Sequence, residues 1–228
     1  MLDRLKNKIT NQVQMSDSFL LGILLAFCGG FQDAYTYVIR GNVFANAQTG
    51  NVVLMSANFI QCQWWNGLRY LLPIIAFAGG IFVVENIQYH FRNAKIIHWR
   101  QGILLLEMII MFFVGFMPQA LNLVANILVS FSCAMQVQTF RKVCKNPYAS
   151  TMCIGNLRSG TESLSSYLRS RNSTELQKVK CYFGVILFFA IGAGIGNFLS
   201  IYLEEYTIWI IGVVLAACFL LMELDRKH

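Results

Sequence analysis

The sequence predicts an all-α, polytopic helical membrane protein with six spans plus two re-entrant half-helices, arranged as an inverted repeat. Its 228 residues are 56% hydrophobic and only 13% charged, and the mean hydropathy is +0.53. Because a soluble domain carries about 25% charged residues, this chain has too little polar surface to cover itself in water. The apolar residues form long runs without the polar stripes of a soluble bundle. In each half, Gly-Asn also opens a short segment between two apolar runs, at Gly50-Asn51 and at Gly155-Asn156.

The apolar runs have the length of membrane spans. About 20 residues cross a hydrocarbon core of roughly 30 Å, and most runs come close to that length, although the third and the last are shorter. The first run is too long for a signal peptide, lacks a small-residue cleavage pattern and contains Asp33, so it is predicted to be a retained span. The predicted spans are residues 19–39, 68–89, 103–117, 120–140, 181–203 and 208–222.

Two short segments between these runs are predicted to enter the membrane without crossing it. Residues 49–60 form a helix of roughly 18 Å at about 1.5 Å per residue, well below roughly 30 Å. Residues 155–168 contain Arg158, Glu162 and several serines, which are costly against lipid. Irregular backbone at membrane depth is tolerated where it lines a cavity. Both segments are therefore predicted to be half-helices.

Three spans and one half-helix in each half give the two halves opposite orientations. Residues 1–117 are predicted to form the first repeat and residues 118–228 the second, inverted repeat, within one integral-membrane domain. Inverted repeats of this kind are typical of secondary transporters. The landmarks that recur in the same order are Phe27 with Phe131, Gln32 with Gln136, Gly50-Asn51 with Gly155-Asn156, and Phe77-Ala78-Gly79-Gly80 with Phe189-Ala190-Ile191-Gly192.

The basic residues predict the orientation. With six spans, the cluster Arg92, Lys95 and Arg100 lies on the same side as the basic residues between 141 and 180. The positive-inside rule makes that side cytoplasmic, with both termini inside. If residues 49–60 crossed the membrane, the first cluster would lie outside. The net charge of +7 follows from this topology and does not indicate nucleic-acid binding.

The cysteines and histidines do not form the pattern of a metal or redox site. The seven cysteines include no CxxC pair and no interleaved histidine at ligand spacing, and thiols within apolar runs behave as small hydrophobes. The sequence also lacks the GxxxxGK[ST] phosphate loop, so ATP-driven transport by this chain alone is not expected. We therefore expect no metal, no cofactor and no catalytic residues, and the chain is not predicted to be an enzyme.

Two groups of motifs, one in each half, carry a family resemblance. The first half has GFQDA at residues 30–34 and TGN at residues 49–51, and the second has QVQ at residues 136–138 and GNLR at residues 155–158. Over nearly the whole chain these motifs resemble the YoaK-like family of uncharacterised prokaryotic multi-pass membrane proteins. One departure is Ile154, where many members have threonine. The resemblance implies a protein of the prokaryotic cell (plasma) membrane with a transport function and supplies no substrate.

The two half-helix N-termini are predicted to form a substrate site near the membrane midplane. A helix N-terminus presents unpaired N–H groups and a partial positive charge, which suit an anion, a carboxylate or a polar solute. The alternative for each motif is a plain helix cap. The residues assigned to this site from the two motifs are Thr49, Gly50, Asn51, Gly155, Asn156 and Arg158.

Polar residues inside the spans extend the predicted site. Asp33 is the candidate proton or cation site, because an intramembrane carboxylate is a functional candidate by default. Its alternative role is to cap a neighbouring half-helix, for example at Gly155. Gln32, Gln136 and Gln138 are predicted to line the same site, with hydrogen bonds between helices as the alternative.

Three further charged residues have predicted roles. Arg158 is predicted first to face the cytoplasm; pairing with an acidic residue and attraction of an anionic substrate are the alternatives. Glu85 and Glu107 are predicted to snorkel or to pair with Arg92 or Arg100.

These expectations favour a secondary transporter of a small polar or anionic solute, with proton coupling through Asp33. They do not distinguish a carrier from a channel. One alternative is a membrane sensor or scaffold, which the absence of a cavity between the half-helices would favour. Another is a small membrane enzyme, which would need a nucleophile–base pair or a metal cluster. The expected partners are a small-molecule solute and the lipid bilayer, and no nucleic acid is expected. The sequence does not decide between a monomer and a homodimer.

Overall fold

The described part of the chain is almost entirely helical. A computed structural model describes residues 15–91 and 99–226, and the predictions made for Arg92 and Lys95 lie outside these residues. The helices are α1 (Phe19–Ile39), α2 (Gln48–Ile60), α3 (Trp64–Phe91), α4 (Trp99–Val114), α5 (Asn122–Thr139), α6 (Cys153–Ser170), α7 (Ser173–Leu203) and α8 (Trp209–Arg226). An antiparallel hairpin between α5 and α6 consists of β1 (Lys142–Val143) and β2 (Asn146–Pro147). Short 3₁₀ helices occupy Met15–Asp17, Gln119–Leu121 and Glu204–Ile208.

Several of these helices are apolar enough to lie in a membrane. Within the described residues, four stretches are long and apolar enough to cross it: Phe19–Ile39, Trp64–His90, Gln119–Thr139 and Ser173–Asp225. The last stretch, of 53 residues, contains both α7 and α8. Helix α4, with 16 residues, is shorter than each of these four stretches. The all-α class is confirmed, and these apolar helices indicate a membrane-embedded protein.

The helices pack as two sets of close neighbours. The most extensive contacts join α1 to α7 and α3 to α5. Helix α2 packs on α3, and α6 packs on α7. Helices α4 and α8 contact each other, and they also contact α5 and α1 respectively. The main apolar core lies among α1, α4, α5 and α8, where Leu25, Phe31, Met111, Val129 and Ile211 are fully buried.

Glycines allow the two most extensive helix pairs to approach closely. A Cβ at Gly192 of α7 would lie 2.1 Å from the carbonyl oxygen of Phe27 in α1. A Cβ at Gly80 of α3 would lie 2.5 Å from the carbonyl oxygen of Phe131 in α5. Gly196, four residues after Gly192, also packs against the α1 backbone. Small residues permit such backbone contacts between membrane helices, so these glycines have a packing role.

A buried arginine fixes the end of α1. Arg40 is fully buried, and its Nε donates to Tyr35 Oη at 2.8 Å. Its two terminal nitrogens donate to the carbonyl oxygens of Met117 at 2.8 Å and Val114 at 3.0 Å, and to Asn122 Oδ1 at 3.1 Å. Among the described residues, no acidic side chain forms an ion pair with it. Carbonyl groups at the end of α4, which carry partial negative charge, stabilise the guanidinium instead.

One pair of cysteines forms a disulfide bond that the sequence analysis did not predict. Cys144, in the hairpin turn, is disulfide-bonded to Cys181 in α7. The two residues are 37 positions apart, and a pair this far apart leaves no short spacing in the sequence that would reveal it. Cys28, Cys133 and Cys218 are buried free thiols, as predicted.

Candidate functional site

A cavity of about 910 Å³ lies where the beginnings of α2 and α6 meet α1 and α7. Thr49 of α2 and Gly155 of α6 line it, together with Asp33 of α1. These three residues are the members of the predicted substrate site that border the cavity. The structure therefore brings the starts of α2 and α6 to one space beside an acidic side chain.

The two Gly-Asn motifs fold their preceding segments in the same way. Asn51 Nδ2 donates to the carbonyl oxygen of Phe44 at 2.7 Å, and its Oδ1 accepts the Phe44 N–H at 3.1 Å. Asn156 makes the same two bonds to Ala149, at 2.7 and 3.5 Å. Gly50 packs on the Phe44 ring. Both asparagines are buried and shape the backbone behind the cavity, and neither they nor Gly50 line it.

Asp33 both lines the cavity and anchors one of its walls. Its side chain is buried, with 7% exposed, and Oδ1 accepts the N–H of Asn46 at 2.7 Å. The Asn46 amide in turn donates to the carbonyl oxygen of Gly29 at 3.1 Å. Helix α2 begins two residues after Asn46, at Gln48. The carboxylate therefore ties the segment entering α2 to α1. This bond fits the alternative in which Asp33 supports a neighbouring helix start, although it does so at α2 and not at the example given, Gly155.

Gln32 and Gln136 are fully buried between helices and away from the cavity. Gln32 Oε1 accepts from Cys133 Sγ at 3.1 Å. Gln136 Nε2 donates to the carbonyl oxygen of Leu25 and to Ser150 Oγ, both at 3.0 Å. These contacts match the alternative that the sequence left open, in which the glutamines bond neighbouring segments.

Gln138 belongs to a polar cluster near the ends of α3 and α5 and does not line the cavity. Glu85 Oε1, near the end of α3, accepts hydrogen bonds from Gln138 Nε2 and from Arg141 Nη2. Arg141 Nε also donates to the carbonyl oxygen of Gln138 at 3.1 Å. The structure thus pairs Glu85 with Arg141. Arg158 is exposed and does not line the cavity.

The sequence analysis did not identify several residues that line the cavity. Tyr37 lies one helical turn after Asp33, and its ring stacks on Phe44 with 4.8 Å between centroids and 22° between planes. Asn197 adds an exposed amide from α7. In the sequence, Tyr37 is marked by its four-residue spacing from Asp33, and Asn197 is marked as a polar residue within an apolar run. Neither signal is specific without knowing which helix faces are adjacent.

Glu107 occupies a different position from the one predicted. It is fully buried on α4, at four-residue spacing from Ile103 and Met111, which are also buried. Within the described chain, neither of its carboxyl oxygens has a hydrogen-bond partner. Arg100 instead bonds Ser16. The predicted snorkelling or pairing with Arg100 is therefore wrong for Glu107, because this face of α4 packs inward.

Among the described residues, no group of three or more histidine, cysteine, aspartate or glutamate side chains is arranged to hold a metal ion. The polar atoms at the cavity are instead one carboxylate, amides, hydroxyl groups, one thiol and backbone groups at the helix starts. Such groups can bind a solute through charge and hydrogen bonds.

The chain belongs to the DUF1275 family, a family of proteins of unknown function, whose model matches residues 21–221. The match covers α1 through most of α8 and confirms the family resemblance that the paired motifs indicated. No curated protein and no solved structure matches the chain.

Proposed function

We propose that this member of the DUF1275 family is a secondary transporter, rather than an enzyme, and that it binds a small solute in the cavity described above. The observation that carries this proposal is the meeting of two half-helix starts, one from each half, beside the Asp33 carboxylate. Secondary transporters build their sites where interrupted helices of two repeats meet, and irregular backbone is tolerated there because it lines a cavity. Asp33 supplies a group that can couple solute movement to a proton.

The contact pattern supports an inverted repeat of residues 1–117 and 118–228. Exchanging the halves makes α1 correspond to α5, α2 to α6, α3 to α7 and α4 to α8. Each major contact then has a counterpart: α1–α7 matches α5–α3, α2–α3 matches α6–α7, and α1–α8 matches α5–α4. The close approaches of Gly192 to Phe27 and of Gly80 to Phe131 match as well. These are the landmarks that recur in the sequence.

Six spans with both termini in the cytoplasm complete the proposed architecture. Helices α7 and α8 are separated at Glu204–Ile208, which supports two spans within Ser173–Asp225. Helix α4, of 16 residues, is a short span of about 24 Å at about 1.5 Å per residue. Because α2 and α6 do not cross in this arrangement, the basic clusters share one side, which is cytoplasmic in a prokaryotic plasma membrane.

In this orientation the cavity and the Glu85–Arg141 pair lie on opposite sides of the midplane. Asp33 and Asn197 belong to the outer halves of α1 and α7, whereas Glu85 and Arg141 lie near the cytoplasmic ends of α3 and α5. A carrier exposes its site to one side at a time. We therefore assign the structure to an outward-facing form that the Glu85–Arg141 pair closes on the cytoplasmic side.

Proton-coupled transport can be tested in proteoliposomes that contain a trapped pH-sensitive dye. An amine, a carboxylate, a zwitterionic amino acid and a neutral polyol are each added outside at equal pH. We expect one class to change the internal pH, and Asp33→Asn to abolish the change, because the amide cannot carry the proton. The amide retains an oxygen to accept the Asn46 N–H. The matched control is Asp225→Asn, an exposed aspartate away from the cavity.

Two results would contradict parts of this proposal. If wild-type protein moves neither protons nor radiolabelled solute of any class, the transport function is wrong and the sensor or scaffold alternative is favoured. If solute moves equally well with Asp33→Asn and still changes the internal pH, the coupling residue is wrong while transport stands.

The topology has its own test. Arg69 and Lys95 are changed singly to cysteine in a cysteine-free background, and intact cells are treated with an impermeant thiol reagent. Six spans place position 69 outside and position 95 inside, so only Arg69→Cys should react. The opposite result would mean that residues 49–60 cross the membrane, and the inverted-repeat argument for the solute site would then fail.

A further inference from the structure

We propose that the solute of this cavity is an amphipathic organic cation, with its positive group beside the Asp33 carboxylate and its apolar body against the rings of Tyr37 and Phe44. This inference rests on the proposed transport function and narrows its solute class. It differs from the polar or anionic solute that the half-helix N-termini alone would favour.

Charge is the first reason. The lining residues, all within the described chain, include no lysine, arginine or histidine, and Asp33 is the acidic residue among them. The ion pairs of the described residues involve Asp17, Glu85 and Glu175, so Asp33 has no ion-pair partner there. Apolar surroundings strengthen the attraction between unlike charges compared with water. A cation would therefore provide the opposite charge that the protein does not.

The helix N-termini only partly oppose this assignment. A helix end is equivalent to roughly half a positive charge, and its influence falls off within the first turn. The segment entering α2 already donates the Asn46 N–H to Asp33 at 2.7 Å. An anion at either helix start would share the cavity with the Asp33 carboxylate, whose negative charge repels it whenever the proton is absent. A cation is attracted by that charge.

The walls of the cavity supply the second reason. Tyr37 and Phe44 stack with 4.8 Å between their centroids, and Phe189 and Ala193 of α7 form an apolar wall. Aromatic faces attract cations and also bury apolar surface. A cavity of about 910 Å³ is of the size that holds a drug-sized organic molecule rather than a bare ion. The solute thus combines a positive group with an apolar body.

The cation and the coupling proton use the same Asp33 carboxylate, and this determines how many protons are exchanged for each cation. When the cation leaves, a proton takes its place on Asp33, and the next cation displaces that proton, so one cation exchanges for one proton. The other titratable groups near Asp33 are Tyr37 of α1, Cys133 of α5 and Cys153 of α6, whereas α7 presents the non-titrating Asn197. Cation binding should therefore weaken as the pH falls, through protonation of Asp33.

Two probes of the same shape and opposite charge test the inference. Benzyltrimethylammonium and phenylmethanesulfonate are each titrated calorimetrically into the purified full chain. We expect the cation to bind about ten-fold more tightly than the anion, and Asp33→Asn to weaken cation binding about ten-fold. Asp225→Asn should leave both affinities unchanged, because this exposed aspartate lies away from the cavity.

A gain-of-function variant guards against a folding defect in Asp33→Asn. Asn197 is exposed at the cavity, so Asn197→Asp adds a second carboxylate there without disturbing the core. We expect this variant to bind benzyltrimethylammonium several-fold more tightly than wild type. The added carboxylate attracts the cation, and apolar surroundings strengthen that attraction.

Each other outcome overturns the inference in a distinct way. Preference for phenylmethanesulfonate would overturn the solute class while leaving the transport function intact. Equal cation binding by wild type and Asp33→Asn would show that Asp33 does not hold the positive group. Binding of neither probe by wild type, with no gain in Asn197→Asp, would also overturn the inference. The proteoliposome assay then decides the transport function separately.

Discussion

The two ends of the proposed repeat use corresponding positions in opposite ways. On the side of α1 and α7, these positions border an open cavity. On the side of α5 and α3, the corresponding positions include Arg141 and Glu85, which form an ion pair. By the spacing of the shared landmarks, the correspondences are Asp33 with Val137, Tyr37 with Arg141, and Asn197 with Glu85.

This difference separates the role of the backbone from that of the side chains. The backbone contacts of the two halves are alike, so they do not by themselves decide which side opens. The Glu85–Arg141 pair does so in the proposed outward-facing form, with both side chains about half exposed. An exposed ion pair contributes about 0–1 kcal/mol. Closure of this strength is weak enough for solute binding to reverse it.

The largest effect is expected at the glycine crossings. A Cβ at Gly192 or Gly80 would lie 2.1 or 2.5 Å from a facing carbonyl oxygen, so the helices must separate. Each alanine variant should lower the free energy of unfolding by about 1–3 kcal/mol, measured by thermal unfolding in detergent. Gly194→Ala and Gly79→Ala are matched controls with nothing within 4 Å, and they should not destabilise the protein. Destabilisation at one crossing alone would break the correspondence between the halves.

The next largest effect is expected at the paired asparagines. Asn51→Ala and Asn156→Ala each remove two hydrogen bonds to a backbone segment, which should cost about 1–2 kcal/mol of unfolding free energy. Asn156→Ala should be the milder change, because one of its bonds is 3.5 Å long. Asn86→Ala, whose exposed amide bonds only within α3, serves as the control. Lost solute binding with unchanged stability would instead assign the asparagines to the solute site.

The smallest effect on stability is expected at the ion pair. Glu85→Gln should change the free energy of unfolding by less than about 1 kcal/mol, since the pair is half exposed. It should nevertheless open the cytoplasmic side, so Val137→Cys, with the free cysteines replaced, should react faster with a thiol reagent. Glu175→Gln removes the Glu175–Lys178 pair within α7 and is the matched control. An unchanged labelling rate would mean that the Glu85–Arg141 pair does not hold this side closed.

Helix positions were largely predictable because apolar runs and turn residues determine them locally. The half-helices predicted over residues 49–60 and 155–168 occupy Gln48–Ile60 and Cys153–Ser170. The span predicted to begin at residue 181 starts at Ser173, because polar residues extend α7 beyond its apolar part. Hydropathy detects the apolar segment of such a helix and not its polar end.

The site was less predictable because its residues come together only through packing. Asp33 and Thr49 were identified as polar residues at special positions, and they line the cavity. Asn51 was assigned to the solute, although its amide is occupied by the Phe44 backbone. The sequence shows that an asparagine begins a helix, but not whether its side chain turns forward to a ligand or back to its own chain.

Arg40 limits how far the two halves can act as separate modules. Its guanidinium is permanently charged, and its bonds reach Val114 and Met117 in the first half and Asn122 in the second. Its own carbonyl oxygen accepts from Asn126 Nδ2 at 2.8 Å. A duplicated unit expressed alone would therefore leave a buried cation and a buried carbonyl group short of partners. We therefore expect the two proposed repeats to assemble in the membrane as one unit.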